Sequence, residues 1–130
     1  AEEGQIWEAS MAAAKYGTDN LTAILDYNGY QQTGPVAEVM PSLAPVADKW
    51  RAFGWHVLEV DGHDMAQIVA AFQATRRVRG RPQMVIAHTQ KGKGLSPFEQ
   101  GGNRKHGVTL SAEETELALA ELQARRPGGP

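Results

Sequence analysis

The 130-residue chain has no cysteine, which excludes disulfides, thiolate metal sites and cysteine nucleophiles. It has no marked charge excess either. Thirteen basic and 15 acidic residues leave a net charge of -2, giving no electrostatic reason to expect nucleic acid or an anionic membrane as a partner. It also lacks any apolar run near the roughly 20 residues needed to span a bilayer. The opening Ala1-Glu2-Glu3-Gly4 is acidic and has no signal-peptide pattern, so a cytoplasmic location is expected. There is no internal repeat. The one biased tract is Arg125-Arg126-Pro127-Gly128-Gly129-Pro130, read as a frayed tail (125–130) after a single domain over 1–124.

What is present is an ordinary globular composition, 42% hydrophobic and 22% charged, arranged as helices alternating with short apolar runs. Residues 5–16 place Ile6, Ala9, Ala12, Ala13 and Tyr16 at helical spacing, a narrow face lined with small side chains. Leu21-Thr22-Ala23-Ile24-Leu25 reads as a strand buried on both faces. Residues 45–53 suggest a short helix, with Gly54 placed to end it in the left-handed region. Val57–Val60 is a second strand. Met65, Ile68, Val69 and Phe72 then form the i, i+3, i+4, i+7 stripe of an amphipathic helix, which stops near Arg76-Arg77 and Gly80-Arg81-Pro82. Met84–Ala87 is a third strand, residues 90–110 form a Gly- and Lys-rich loop, and Ser111-Ala112-Glu113-Glu114 fits a capping box opening the last helix.

This alternation predicts an α/β fold, a parallel sheet with flanking helices. Ligands of such sheets bind beyond the carboxyl ends of the strands. The segments there are Asp26-Tyr27-Asn28-Gly29-Tyr30, Asp61-Gly62-His63-Asp64, and the loop from His88. An Asn amide oxygen at position 28 suits a hard cation, magnesium or calcium, in company with a carboxylate. The alternative is that Asn28-Gly29 simply makes a turn. Lys91 and Lys93 lie on a glycine-rich loop, but not at P-loop spacing, which argues against a phosphate cradle. His56, His63 and His88 read as local structural residues, and Trp7, Trp50 and Trp55 as packing or interface residues.

Taken in order, Glu3-Gly4-Gln5-Ile6-Trp7-Glu8-Ala9, Asp19-Asn20-Leu21, Asp26-Tyr27-Asn28-Gly29 and Lys49-Trp50-Arg51-Ala52-Phe53-Gly54-Trp55 resemble the cofactor domain of transketolases. Asp61-Gly62-His63-Asp64, His88-Thr89-Gln90-Lys91-Gly92-Lys93-Gly94 and His106-Gly107 continue the likeness, which runs from about residue 3 to residue 123. The chain is most similar to N-terminal subunits of split transketolases. The resemblance implies the C-terminal part of a thiamine-diphosphate-binding fold. It also implies transfer of a two-carbon ketol unit between sugar phosphates, as in the pentose phosphate pathway, with thiamine diphosphate and magnesium (Mg2+) as cofactors.

Carried over residue by residue, the resemblance makes the Asn28 side chain and the Tyr30 main-chain carbonyl metal ligands. It makes His106 a catalytic residue that also reaches the cofactor diphosphate, and it puts Glu8, with Glu3, in a carboxylate network between active sites. Without the family, Glu3 and Glu8 read as first-turn helix acids and His106 as a solvated loop histidine. Val108-Thr109-Leu110 departs from the family, which has a proline shortly after the His-Gly pair.

Members of the family carry Gly-Asp-Gly-Glu just before the position matching Glu3, and that motif supplies the metal's carboxylate. The sequence begins at Ala1, after it, so the expectation is weakened cofactor and magnesium binding and no activity by this polypeptide alone. An unpaired strand edge adds a physical expectation of self-association, or of pairing with a complementary subunit. The competing readings are a non-catalytic assembly module derived from a transketolase, and another thiamine-diphosphate enzyme. Trp7-Glu8-Ala9 and the Lys-Gly-Lys-Gly loop favour transketolase over the latter.

Overall fold

The computed structural model describes residues 1–99, 101–102 and 106–125; the expected tail beyond Arg125 lies outside the described residues. The elements are α1 (Gly4–Lys15), β1 (Thr22–Tyr27), β2 (Tyr30–Gln31), β3 (Gly34–Pro35), α2 (Val36–Val39), a 3-10 turn (Pro41–Leu43), α3 (Val46–Ala52), β4 (His56–Asp61), α4 (Met65–Thr75), β5 (Gln83–His88), α5 (Ser96–Glu99) and α6 (Ala112–Ala124). β1, β4 and β5 form a parallel sheet in the order β1-β5-β4, and β2 and β3 pair as a small antiparallel ribbon. The parallel α/β expectation therefore holds. In register, Tyr27, His88 and Asp61 sit side by side, so all three strands end flush on one edge.

Direct pairing puts alternate residues on opposite faces of the sheet. Met84 and Ile86 of β5 join Ala13, Val46, Ala47, Trp50 and Trp55 in the larger core, on the face covered by α1 and α3. Val85 joins Val60 and Ala71 in the smaller one, under α4. The tryptophans fill the larger core. Trp50 meets Trp55 edge-on at 4.8 Å and Trp7 at 5.2 Å, and the Trp55 Nε1–H donates to the Ser10 carbonyl at 3.0 Å.

That bond sets the face α1 presents. Ser10 and Ala13 are buried and Trp7 packs inward, whereas Ile6 and Tyr16 are exposed, so the inward stripe is not the one the spacing of small residues suggested. Large tryptophans decide the rotation where alanines could not. The α4 stripe is likewise shifted. Ala71 and Thr75 are buried and Ile68 packs beside them, leaving Met65, Val69 and Phe72 exposed. β1 is an edge strand, not one buried on both faces, and Ile24 is 60% exposed. The doubly buried strand is β5, where Gln83–Ile86 are all buried.

Local signals in the sequence perform as expected. Gly54 has φ +91° after α3, a conformation costly for any residue with a Cβ. Ser111 and Glu114 form the capping box of α6, and the Asp64 carboxylate caps α4 by accepting from the Ala66 and Gln67 amides. No helix among the described residues is long and apolar enough to cross a membrane.

Candidate functional site

The flush carboxyl edge of the sheet positions the chemistry. Just beyond β1, Asn28 turns back: its Oδ1 accepts from the Tyr30 amide at 2.9 Å, and its Nδ2 donates to Asp26 Oδ2 at 3.2 Å. The Gly29 carbonyl accepts from the Val36 amide at 2.9 Å, closing the small ribbon that carries Tyr30. The turn that the alternative sequence reading expected at Asn28 is therefore present. It stands just past the carboxyl end of β1, beside the ends of β5 and β4.

Beyond β5, the chain enters the glycine-lysine loop. The Thr89 amide donates to the Tyr27 carbonyl at 3.4 Å and the Gln90 amide to His63 Nε2 at 2.7 Å. His63 therefore carries its proton on Nδ1 in this arrangement. The far side of the loop is gripped by α6: Ser96 donates through its amide (2.9 Å) and its hydroxyl to Glu121, and Arg125 donates to the Gly94 carbonyl. The two Ser96 bonds, the hydroxyl first and the amide second, hold the Glu121 carboxyl below its ordinary value.

Asn28, Tyr30, Gln31, Lys91 and His106 line one cavity of about 200 Å³. Lys91 Nζ lies 3.3 Å from His106 Nδ1. An ammonium only donates, so Nδ1 accepts and the other ring nitrogen, Nε2, is the protonated donor. A neighbouring cavity of about 420 Å³, lined by Tyr27, Val36, Met40, His88 and Thr89, shares Asn28 as a wall. His88 Nε2 donates to Glu59 at 3.1 Å, and Arg51 donates to the same carboxylate at 3.0 Å. His88 first and Arg51 second hold the Glu59 carboxyl below its ordinary value.

The fold thus brings Asn28, Tyr30 and His106 together. Glu8 is exposed on α1 and lines neither cavity. The lack of P-loop spacing argued against a phosphate cradle at Lys91, and the fold places Lys91 against His106. The usable signal was its position three residues past the end of a strand whose edge carries Asn28.

Among the described residues, no group of three or more His, Cys, Asp or Glu side chains could hold a metal. Asn28 offers one neutral amide oxygen, already accepting from Tyr30, and the Tyr30 carbonyl would be a second neutral donor. This set fits part of a magnesium coordination shell, which ordinarily includes one or two carboxylates. The Lys91 ammonium beside it, with the His106 Nε2–H donor, suits a phosphate-bearing group.

A parallel α/β layer with polar side chains gathered around a cavity at its carboxyl edge is the class this geometry defines. Residues 1–125 match the family described as transketolase, thiamine diphosphate binding domain, and the chain belongs to that family. It is 46% identical over 122 residues to the 6-deoxy-6-sulfo-D-fructose transketolase subunit SqwG of Clostridium sp. (strain MSTE9), covering 94% of this chain and 44% of that protein. It is 44% identical over 123 residues to an apulose-4-phosphate transketolase subunit of Phocaeicola vulgatus, covering 95% of this chain and 43% of that protein. The chain thus spans less than half the length of these relatives. Among solved structures, the Pichia stipitis transketolase complex with sedoheptulose 7-phosphate superposes with a TM-score of 0.83 at 27% identity, covering 92% of this chain and 18% of that one.

Proposed function

We propose that this chain supplies one side of a thiamine diphosphate and magnesium site in a transketolase-type enzyme, working with a complementary subunit. The observation that carries the reading is the convergence of Asn28, Tyr30, Lys91 and His106 on one cavity at the carboxyl edge of the sheet. Asn28 and the Tyr30 carbonyl contribute two oxygens to the metal. Lys91 and His106 bind and orient the diphosphate, and His106 also reaches the sugar phosphate. Thiamine diphosphate, when bound, supplies the carbanion chemistry of ketol transfer. The family model's description and two relatives named as transketolase subunits support the cofactor and a subunit partner.

The chain alone is inactive in this reading, because no carboxylate is among the described residues that line the cavity with Asn28 and Tyr30. Glu8 serves at a subunit interface, in keeping with its exposure on α1. Among the described residues one edge of β1 has no partner strand, and this edge, with Ile24 exposed, supports self-association or docking of the complementary chain. The same surface favours the second reading, an assembly module without chemistry.

Calorimetric titration of the whole chain with thiamine diphosphate separates the two. Magnesium-dependent binding that disappears in Asn28→Ala is the expected result. Absence of binding by the unaltered chain would overturn the proposal in favour of the assembly module.

A further inference from the structure

The Asp26 carboxylate, to which the proposed function gives no role, stands between the metal side and the sheet. Its Oδ2 accepts from Asn28 Nδ2 at 3.2 Å, and its Oδ1 accepts a short hydrogen bond from the Thr89 hydroxyl. Asp26 is the last but one residue of β1, and Thr89 follows the last residue of β5, so this carboxylate ties the two strand ends together.

The consequence for Asn28 lies in which way its amide faces. Only the oxygen of an Asn side chain can coordinate a cation, and an ionised carboxylate can only accept. Asp26 therefore draws the NH2 toward itself, and Oδ1 is left on the other side, where the Tyr30 amide meets it at 2.9 Å. Two opposed partners fix both the rotamer and the flip.

Thr89 in turn is held by a space in the next strand's turn. A Cβ on Gly62 would stand 2.4 Å from Thr89 Cγ2 and 3.2 Å from both the Ala87 Cβ and the His88 carbonyl oxygen. The Gly62 amide also donates to that carbonyl at 2.8 Å, so the turn cannot back away without losing a bond. Gly62 is needed here for room.

We propose that Asp26 is a positioning residue that presents the Asn28 oxygen to the metal, braced through Thr89 against the space left by Gly62. This rests on Asn28 being a magnesium ligand. A second role for Asp26, direct coordination, makes a different prediction, because an amide at position 26 can keep both hydrogen bonds but cannot supply the charge. In Asp26→Asn, the new oxygen accepts from Asn28 while the new NH2 donates to a Thr89 hydroxyl rotated to accept.

The test measures two quantities on the whole chain and on Asp26→Ala, Asp26→Asn, Thr89→Val and Gly62→Ala. The first is the averaging of the Asn28 side-chain rotamer, from three-bond couplings in NMR. The second is magnesium-dependent affinity for thiamine diphosphate. The expected result is a single Asn28 rotamer in the unaltered chain and in Asp26→Asn, and averaging in Asp26→Ala and Thr89→Val. Affinity should fall by about threefold to tenfold in the latter two, the scale of one lost hydrogen bond. Gly62→Ala should resemble Thr89→Val. Thr89→Val carries the test if Asp26→Ala does not fold. A fixed Asn28 rotamer in folded Asp26→Ala or Thr89→Val would overturn the proposal, as would an Asp26→Asn variant as weak as Asp26→Ala. If the unaltered chain binds no cofactor, the reading of the site fails, while the couplings still decide whether Asp26 positions Asn28.

Discussion

Lys91 and His106 meet across fifteen residues of chain, with Nζ 3.3 Å from Nδ1. The contact orients the imidazole so that its other nitrogen carries the proton and can donate to an anion. Lys91→Met should therefore weaken thiamine diphosphate binding twice over, by removing a charge and by freeing the ring. A loss of about tenfold is expected, the scale of a charge-assisted hydrogen bond. Because the two side chains act together, Lys91→Met combined with His106→Ala should cost less than the sum of the single losses. Calorimetry on the double-mutant cycle measures this.

The Glu59 carboxylate, between His88 and Arg51, gives the fold a specific acid sensitivity. Its folded-state value is depressed below the ordinary 4.5, with His88 the larger cause. The stabilisation is thus fully present above the ordinary value and is lost as the pH falls through the depressed one. The pair is about 40% exposed at Glu59, so its worth lies within roughly 0.2–1 kcal/mol. Glu59→Gln should unfold more easily than the unaltered chain at pH 7, and the difference should shrink at an acidic pH below the ordinary 4.5. Denaturant melts at the two pH values check it.

Two isoleucines on adjacent strands should behave very differently. Ile86, on the central strand, has no exposed surface, and Ile86→Ala should cost about 2–5 kcal/mol of stability. Ile24 on the edge strand is 60% exposed, and Ile24→Lys should leave the melting of the isolated chain within ~0.5 kcal/mol. The same Ile24→Lys change should reduce self-association or capture of a complementary subunit, read by analytical ultracentrifugation.

How much of this was legible in the sequence depends on how local the signal is. Alternation of elements, the capping box at Ser111 and the helix stop at Gly54 rest on neighbouring residues, and all are in the fold. Helix facing is not local. The inward stripe of α1 is set by Trp55, 45 residues away, reaching the Ser10 carbonyl. Which strand lies at the centre is a property of sheet order, so β1 and β5, both short apolar runs, could not be told apart. The short elements β2, β3, α2 and α5 carry two to four residues each, too few for a period to show. At the site, Asn28 came from its place past a strand end and His106 from motif order, whereas the Lys91–His106 contact and the Asp26 bridge needed distances.

The proposed site puts a metal ion carrying thiamine diphosphate at Asn28. Manganese favours the same oxygen donors as magnesium and broadens NMR signals of nuclei close to it. Titrating the whole chain with Mn2+ and thiamine diphosphate should selectively broaden the Asn28 side-chain amide and the Tyr30 amide, with Lys91 and His106 next. Asn28→Ala should abolish that pattern. Broadening centred on other residues, or a pattern unchanged in Asn28→Ala, would contradict the account.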